Sequence, residues 1–173
     1  WNPTCVTMPF NHSGKDVYED PIFTIVFPVS DGETWFAVTD DITVEKNDWT
    51  LVFGCAEGNG NNTEEGSLKR RADLTDDGSF KVVVDGDAKF IKMTLNMMEY
   101  TYKIEKLNFQ EFIYTPGNHQ GWNPGTAAAM RSPNFDGVYV GFTYLNGNFK
   151  FTKERNWNAE YNFNDFATKD DIF

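Results

Sequence analysis

Apolar and polar side chains alternate along most of the chain with a period of two residues, which is typical of strands that bury one face. The clearest run places four large apolar residues on one face of a single strand: Val138, Val140, Phe142 and Tyr144. The sequence NGNFKFT follows, and it predicts a tight Asn-Gly turn and then a second strand. In that strand Phe149 and Phe151 would point inward and Lys150 outward.

A second apolar region, residues 79–107, predicts three strands, with an Asp-Gly turn between the first two. Helical periodicity is nearly absent, and only TAAAM, residues 126–130, suggests a single helical turn. The polar stretch at residues 57–71 is predicted to be a loop. Short strands throughout predict an all-β chain, for which a β-sandwich is the default architecture.

The sequence contains an internal repeat with a spacing of about 110 to 120 residues. Three pairs of segments carry it: WNPTCVTM at Trp1 and WNPGTAAAM at Trp122, PIFTIVFPVSDG from Pro21 and GVYVGFTYLNG from Gly137, and NDWTLVFG around Trp49 and RNWNAEYN around Trp157. The repeat predicts two β-sandwich modules, residues 1–107 and 108–173. By this alignment the first copy would lack its opening strand and the second its closing strands.

Composition and charge narrow the class of partner. The 173 residues contain 15 Lys and Arg against 26 Asp and Glu, giving a net charge of −11. Such an acidic surface disfavours nucleic acid and anionic membranes, whereas neutral ligands are unaffected. No apolar run reaches the roughly 18 residues of a membrane-spanning helix. Cys5 and Cys55 could form a disulfide or remain free thiols, and the sequence does not decide between them.

Tryptophans that follow polar turns are candidates for sugar binding, because a flat indole stacks on the apolar face of a pyranose while nearby polar groups bond its hydroxyl rim. Trp157 lies in ERNWNAEY and Trp122 in HQGWNP, with Lys150 on the outward face of the strand between them. The alternative is that Trp157 belongs to the core and that Trp122 closes the end of the sandwich. Flanking candidates for ligand contact are Asn158, Tyr161, Arg155 and His119.

The first copy offers matching positions. Trp49 aligns with Trp157, and Trp1 aligns with Trp122. Trp35 lies near the position of Lys150, but the register is ambiguous by one residue, and such a slip changes the face of the strand. No lysine clearly replaces Lys150 here, so the first copy is predicted to bind more weakly or not at all.

Catalytic chemistry finds little support. Adjacent carboxylates occur at residues 40–41, 76–77 and 170–171, where they suit ordinary Asx turns. A glycosidase needs two carboxylates that face each other across a cleft, whereas neighbours on a strand point to opposite faces. The protein is therefore predicted not to be an enzyme and to use no cofactor or metal.

The combined pattern YTPGNHQGWNP, SPNFDGVYVGFTYLNGNFKFT and NW resembles the carbohydrate-binding modules of SusE/SusF-type outer-membrane starch-binding proteins of Bacteroidetes, and KMTLNMMEYTYKIEKL resembles the closing strands of such a module. The resemblance implies tandem Ig-like sandwiches that bind α-glucan without catalysis. It implies a surface-exposed lipoprotein whose lipid anchor lies outside this chain, and other outer-membrane glycan-uptake proteins as partners.

The family's site combines an aromatic arc with a basic residue and amides. By resemblance this carries over to Trp122, Lys150 and Trp157, and by the repeat to Trp1 and Trp49. The competing hypothesis is a structural spacer or protein-interaction sandwich of a glycan-uptake complex with no ligand site of its own.

Overall fold

The structure of the protein, a computed structural model, describes residues 8–158 and the backbone of residues 160–161. The chain divides into two compact units, Trp1–Asn108 (unit 1) and Phe109–Phe173 (unit 2). Within the described residues, no helix combines the length and the apolarity needed to cross a membrane. Trp1 and Cys5 lie outside the described residues, as does the side chain of Tyr161.

Unit 1 is built from two antiparallel sheets. The larger sheet has the strand order β1-β6-β7-β4-β3, and the smaller one pairs β2 with β5. The strands are β1 (Ile22–Pro28), β2 (Gly32–Phe36), β3 (Phe53–Cys55), β4 (Glu65–Arg70), β5 (Phe80–Val84), β6 (Phe90–Asn96) and β7 (Thr101–Leu107). The three strands predicted within residues 79–107 are confirmed as β5, β6 and β7, but β5 lies in a different sheet from the other two.

The two sheets of unit 1 face each other across one core. Phe80 of β5 stacks on Phe36 of β2 at 5.2 Å and meets Tyr102 of β7 edge-on at 5.0 Å. Ile91 and Met93 of β6 are fully buried in the same cluster. Side chains from both sheets therefore fill a common interior, which confirms the predicted all-β sandwich.

Two local features of unit 1 were not predicted from the sequence, a strand and a short helix. Residues 57–71 are not all loop, because β4 occupies the second half of that stretch and pairs with β3 and β7. A short helix, α1 (Asp41–Lys46), is too brief for its periodicity to be visible. Its signals are local: Asp40 accepts from the Thr43 backbone N–H, and Asn47 ends the helix in the left-handed conformation. Short 3-10 helices span Trp49–Leu51 and Arg71–Asp73.

Unit 2 contains a four-stranded antiparallel sheet with the order β11-β10-β8-β9. Its strands are β8 (Phe112–Thr115), β9 (Ala128–Arg131), β10 (Phe151–Thr152) and β11 (Glu160–Tyr161), and 3-10 helices span Asn118–Gln120 and Pro124–Thr126. The helical turn predicted for residues 126–130 was wrong, because β9 begins there and pairs with β8. Pairing with a neighbouring strand outweighs the helix propensity of three alanines.

The alternating segment of unit 2 is largely exposed. Val138 and Phe142 are 61% and 98% accessible, and Val140 and Tyr144 are exposed as well. Among the described residues, its one backbone pairing is a bridge between Val140 and Arg131. The opposite face is more buried, where the Tyr139 hydroxyl donates to the Gln110 carbonyl. Residues 137–145 form no strand beyond this bridge, so the strand predicted here was wrong, and its four large apolar side chains stay exposed with no sheet packed on them within the described residues.

Candidate functional site

The two tryptophans of unit 2 lie side by side. The ring centroids of Trp122 and Trp157 are 6.2 Å apart, and their planes are inclined by 34°. Trp157 remains 40% accessible, and Trp122 is partly buried. Two indoles that touch each other and also face solvent form an apolar surface with one open side.

The turn before Trp122 is fixed by the backbone. Gly121 and Trp122 both adopt positive φ, +74° and +60°, so the chain reverses after the 3-10 helix Asn118–Gln120. The Trp122 N–H donates to the Gly117 carbonyl at 2.9 Å. The Gln120 amide bonds the backbone of Asn123 in both directions at 2.7 Å. A strained, multiply bonded turn of this kind holds a side chain in place.

Lys150 lies beside the tryptophan pair. Its Nζ is 5.9 Å from the centre of the Trp157 ring, within range of a cation–π interaction. Its backbone N–H donates to the Pro116 carbonyl at 2.9 Å, next to a bridge between Gly117 and Phe149. A Cβ on Gly117 would lie 2.6 Å from the Asn148 carbonyl oxygen, so only glycine permits this approach. Lys150 is exposed, as its outward position next to Phe149 and Phe151 predicted.

Arg155 ties the two tryptophan segments together. Its Nη1 donates to the Gly125 carbonyl at 2.9 Å, and its guanidinium lies 4.7 Å from the centre of the Tyr114 ring. Arg155 is two residues before Trp157, and Gly125 is three after Trp122. The arginine therefore connects the loop that carries one indole to the turn that carries the other. The sequence indicated Arg155 as a flanking residue but gave no sign of this link.

The other predicted site residues of unit 2 are Asn158, His119 and Tyr161. Asn158 is exposed, and its N–H donates to Asn156 Oδ1 at 2.8 Å. Both ring nitrogens of His119 are buried without a hydrogen-bond partner among the described residues, which contradicts a solvated imidazole. Tyr161 contributes its backbone to β11.

Unit 1 separates its tryptophans into two surroundings. Trp49 begins a 3-10 helix, is half-buried, and has the Arg71 guanidinium 5.8 Å from its ring centre. Arg71 also pairs with Asp77. Trp35 of β2 is exposed, and Nζ of Lys81 lies 5.4 Å from its ring. Trp49 and Trp35 thus each have a cation of their own, whereas Trp122 and Trp157 of unit 2 share one surface.

The perturbed carboxylates belong to structural networks. Burial opposes ionisation of Asp40, but hydrogen bonds from Arg70 and Thr43 outweigh it and lower its pKa to about 2. Burial raises the pKa of Cys55, a free thiol, and also that of Tyr102, so both are neutral near pH 7. These groups lie in unit 1.

Metal binding finds no support in the described part of the chain, which has no group of three His, Cys, Asp or Glu side chains that could hold an ion. What the geometry offers is an aromatic surface with an adjacent ammonium group. Such a surface can stack on a flat apolar face and bond a polar rim.

Comparison with known proteins gives three findings. No curated protein matches the chain. The crystal structure of SusF from Bacteroides thetaiotaomicron is similar over 89% of this chain, with 17% sequence identity and a TM-score of 0.46. That similarity covers 34% of the SusF chain, so this chain spans about a third of its length.

A family model matches residues 1–106, which correspond to unit 1 almost in full, and it is described as SusF, first starch specific CBM, where CBM denotes a carbohydrate-binding module. The match extends over more than half of the 173 residues. The resemblance to SusE/SusF-type modules that the sequence indicated is thereby confirmed. The chain belongs to the family of SusF first starch-specific carbohydrate-binding modules.

Proposed function

We propose that this protein binds α-glucan, the chain of starch and maltooligosaccharides, without catalysing any reaction, and that Trp122 and Trp157 form its principal platform. The observation that carries the proposal is the tilted pair of indoles, 6.2 Å apart at 34°. An α-1,4-glucan curves along its length, so two inclined planes follow it better than one flat surface. Membership of a starch-specific family supports the same ligand.

Polar groups around the platform would bond the hydroxyl rim. Lys150 is placed to donate from one side, and Asn158 and Tyr161 are proposed to contribute from the loop after Trp157. Each net hydrogen bond contributes roughly 0.5–1.5 kcal/mol because both partners give up water. Two stacked rings with a few such bonds suggest a binding free energy of roughly −4 to −8 kcal/mol, or about millimolar to micromolar affinity.

Unit 1 is proposed to contribute a weaker site through Trp1 and Trp49. Trp49 is half-buried beside Arg71, so less of its ring is available than in Trp157. Two modest sites on one chain would still raise the affinity for a polymer, because the second contact forms at high effective concentration. This accounts for how a repeated module could hold starch although each copy binds a short sugar weakly.

The cellular location and the partner proteins are proposed from the family. We propose a surface-exposed outer-membrane lipoprotein of Bacteroidetes that works with other glycan-uptake proteins, since SusE/SusF-type modules have that role. Two domains, residues 1–107 and 108–173, remain the proposed arrangement of modules. The exposed apolar face of Val138, Val140, Phe142 and Tyr144 favours a second function, in which unit 2 is a protein-interaction sandwich.

Affinity electrophoresis in native gels tests the proposal directly. Migration of the chain is compared in gels with amylopectin, dextran, mannan or no polymer. Retardation by amylopectin alone is the expected result. Retardation by another polymer would mean that this polymer, and not α-glucan, is the ligand. Normal migration in every gel would refute glycan binding and favour the interaction hypothesis.

Trp157→Ala sharpens this test. We expect a loss of amylopectin affinity of about tenfold or more, because stacking and its apolar contact are removed. The melting temperature should stay nearly constant, since the ring is partly exposed. Tyr18→Ala is the matched control, because Tyr18 is an aromatic side chain with 80% accessibility outside the proposed site. A large drop in melting temperature would instead identify Trp157 as a core residue.

A further inference from the structure

The chain contains two Asn-Gly pairs, one in each unit. Asn59–Gly60 belongs to unit 1 and Asn146–Gly147 to unit 2, and both asparagines are exposed. Asparagine followed by glycine is the sequence most prone to spontaneous deamidation, because glycine has no Cβ to hinder the approach of its own nitrogen to the asparagine side chain. The two pairs share this local chemistry, so a difference in their reactivity has to come from the fold.

Deamidation makes specific demands on the backbone and on the side chain. The glycine nitrogen, after losing its proton, attacks Cγ of the preceding asparagine and forms a C–N bond that closes a succinimide ring. The bond from Cγ to the amide nitrogen breaks, and ammonia leaves after taking up a proton from water. Water then opens the ring at either carbonyl and gives aspartate or isoaspartate, so an amide and water become a carboxylate and ammonium. The reaction therefore needs a glycine N–H that is not hydrogen-bonded and an asparagine amide that can turn towards it.

The structure protects Asn59 from this reaction. The Gly60 N–H donates to the Ser79 carbonyl at 2.8 Å, and Asn59 Oδ1 accepts from the Ser79 N–H at 3.0 Å. The Asn59 backbone N–H is bonded as well, to Asp76 Oδ2 at 3.0 Å. The Trp35 ring covers the glycine, because a Cβ built on Gly60 would be 2.5 Å from Trp35 Cη2. The attacking nitrogen and the amide that it would attack are thus both held by hydrogen bonds to one residue.

The pair in unit 2 has no counterpart of these bonds. Within the described residues, neither the Gly147 N–H nor the Asn146 side chain has a hydrogen-bond partner, and both residues are exposed. The φ of Gly147 is +78°, which favours glycine at this position. Hydrogen bonds begin with the next residue, where the Asn148 carbonyl accepts from the Asn118 N–H at 2.9 Å. The turn is therefore anchored after the pair and open at the reacting atoms.

We propose that Asn146 is a modification site that deamidates spontaneously in the folded protein, through the succinimide formed with Gly147, whereas Asn59 is protected. Water is the co-reactant. The product carries one more negative charge, and its isoaspartate form also lengthens the main chain by one carbon atom. Both changes fall beside the bridge between Gly117 and Phe149, which leads into the turn that carries Trp122. The modification is independent of the proposed function, and only an effect of it on glucan binding would rest on that function.

The experiment compares the two asparagines in the folded and the unfolded chain. The whole chain is kept in mildly alkaline buffer, with and without guanidinium chloride, and samples taken over time are digested with trypsin and analysed by tandem mass spectrometry. In the folded chain Asn146 should deamidate at least about tenfold faster than Asn59, because two hydrogen bonds have to break before Asn59 can react. In guanidinium chloride the two rates should agree within about twofold, because both asparagines precede glycine.

Several results would overturn the proposal. Equal rates in the folded chain would do so, as would a faster reaction at Asn59 or an Asn146 that reacts only in guanidinium chloride. A difference of the same size in guanidinium chloride would also overturn it, because the cause would then be the neighbouring sequence and not the fold. Asn134 and Asn148 are internal controls within the tryptic peptide 132–150, and each precedes a phenylalanine that hinders the attack, so both should stay largely unmodified.

Asn146→Gln is the matched variant. Its longer side chain would have to close a larger ring, which forms far more slowly, so the acidic forms that accumulate in the aged protein should disappear from ion-exchange chromatography. Asn59→Gln is the control and should leave those acidic forms unchanged, because Asn59 is protected in the folded chain. Acidic forms that persist in Asn146→Gln, or that disappear in Asn59→Gln, would place the modification elsewhere and refute its assignment to Asn146.

Discussion

The same pattern of alternating residues has opposite outcomes in the two units. In unit 1, β1 (Ile22–Pro28) pairs along its whole length with β6 and buries Ile25. In unit 2, the aligned segment exposes Val138, Phe142 and Tyr144, and within the described part of the unit it makes a single bridge, to Arg131. The difference shows that alternation specifies which residues share a face, whereas burial requires a second sheet to cover that face.

The buried side chains of the two units differ as well. Unit 1 has one cluster with side chains from both sheets, centred on Phe80, Ile91 and Met93. In unit 2 the buried side chains of the described residues are few and half of them carry hydroxyl groups: Ile113, Thr115, Pro116, Ala127, Ser132 and Thr152. Among the described residues, unit 1 thus has the larger buried apolar cluster, and unit 2 has the pair of neighbouring indoles.

The largest effect is expected from removing a phenylalanine of the core. Phe80→Ala should lower the free energy of unfolding of unit 1 by about 3–5 kcal/mol, through lost burial and the cavity left behind. Phe142→Ala in unit 2 is the matched control and should change it by less than about 0.5 kcal/mol. Chemical denaturation measures both. Equal losses would mean that Phe142 is covered in solution, and the comparison of the units would fail.

The second largest effect is expected from acid, which should weaken the ion pair between Asp40 and Arg70 in unit 1. The pKa of Asp40 is lowered to about 2, so its contribution is complete above about pH 4 and is lost as the pH falls from 4 towards 2. Asp40→Asn should therefore lower stability by about 1 kcal/mol at pH 7, and less below pH 4. Unfolding at pH 7, 4 and 2.5 tests this.

The equivalent change in unit 2 is Asp136→Asn. A hydrogen bond from the Val138 N–H lowers the pKa of Asp136, but this carboxylate is fully exposed and has no arginine partner. Its replacement should have a smaller effect at pH 7 than that of Asp40. An equal pH dependence in both variants would argue against a special role for the Asp40–Arg70 pair.

A smaller effect, on the affinity for maltoheptaose, is expected from replacing Arg155. Arg155→Ala removes the bond to Gly125 and should weaken maltoheptaose binding by about two- to tenfold, because the two indoles lose their link. Arg131→Ala is the control, since Arg131 also lies over an aromatic ring but belongs to β9. Calorimetry gives the affinity, and the indole NMR signal of Trp157 should shift in the free protein. An unchanged signal would contradict the positioning role.

The smallest effect concerns the hydroxyl of Thr152, whose buried oxygen has no hydrogen-bond partner in the described residues. Thr152→Val should raise stability by up to about 1 kcal/mol, because a desolvated hydroxyl is replaced by a methyl group of the same shape. Thr115→Val should instead be destabilising, since the Thr115 hydroxyl donates to the Ala128 carbonyl at 3.4 Å. Thermal unfolding compares the two, and a loss of stability with Thr152→Val would indicate an unseen partner.

Much of the fold could be predicted from the sequence because its signals are local. The alternation in residues 79–107 indicated three strands, and Asn-Gly at 146–147 indicated a turn, where Gly147 indeed has a φ of +78°. The predictions failed where pairing decided the outcome: β4 within a polar stretch and β9 within TAAAM. The residues of β4 and β9 do not predict a strand by themselves. Each strand forms because a neighbouring strand pairs with it.

The sequence by itself determined the class of the fold, the family and the tryptophans worth considering, because periodicity, turn residues and repeated motifs are properties of neighbouring positions. Only the tertiary structure decided which tryptophans meet. It brought Trp122 and Trp157 together and placed Trp35 against Gly60, a residue 25 positions away. It also left one apolar face covered and the other open, because burial depends on contacts between segments that are distant in the chain.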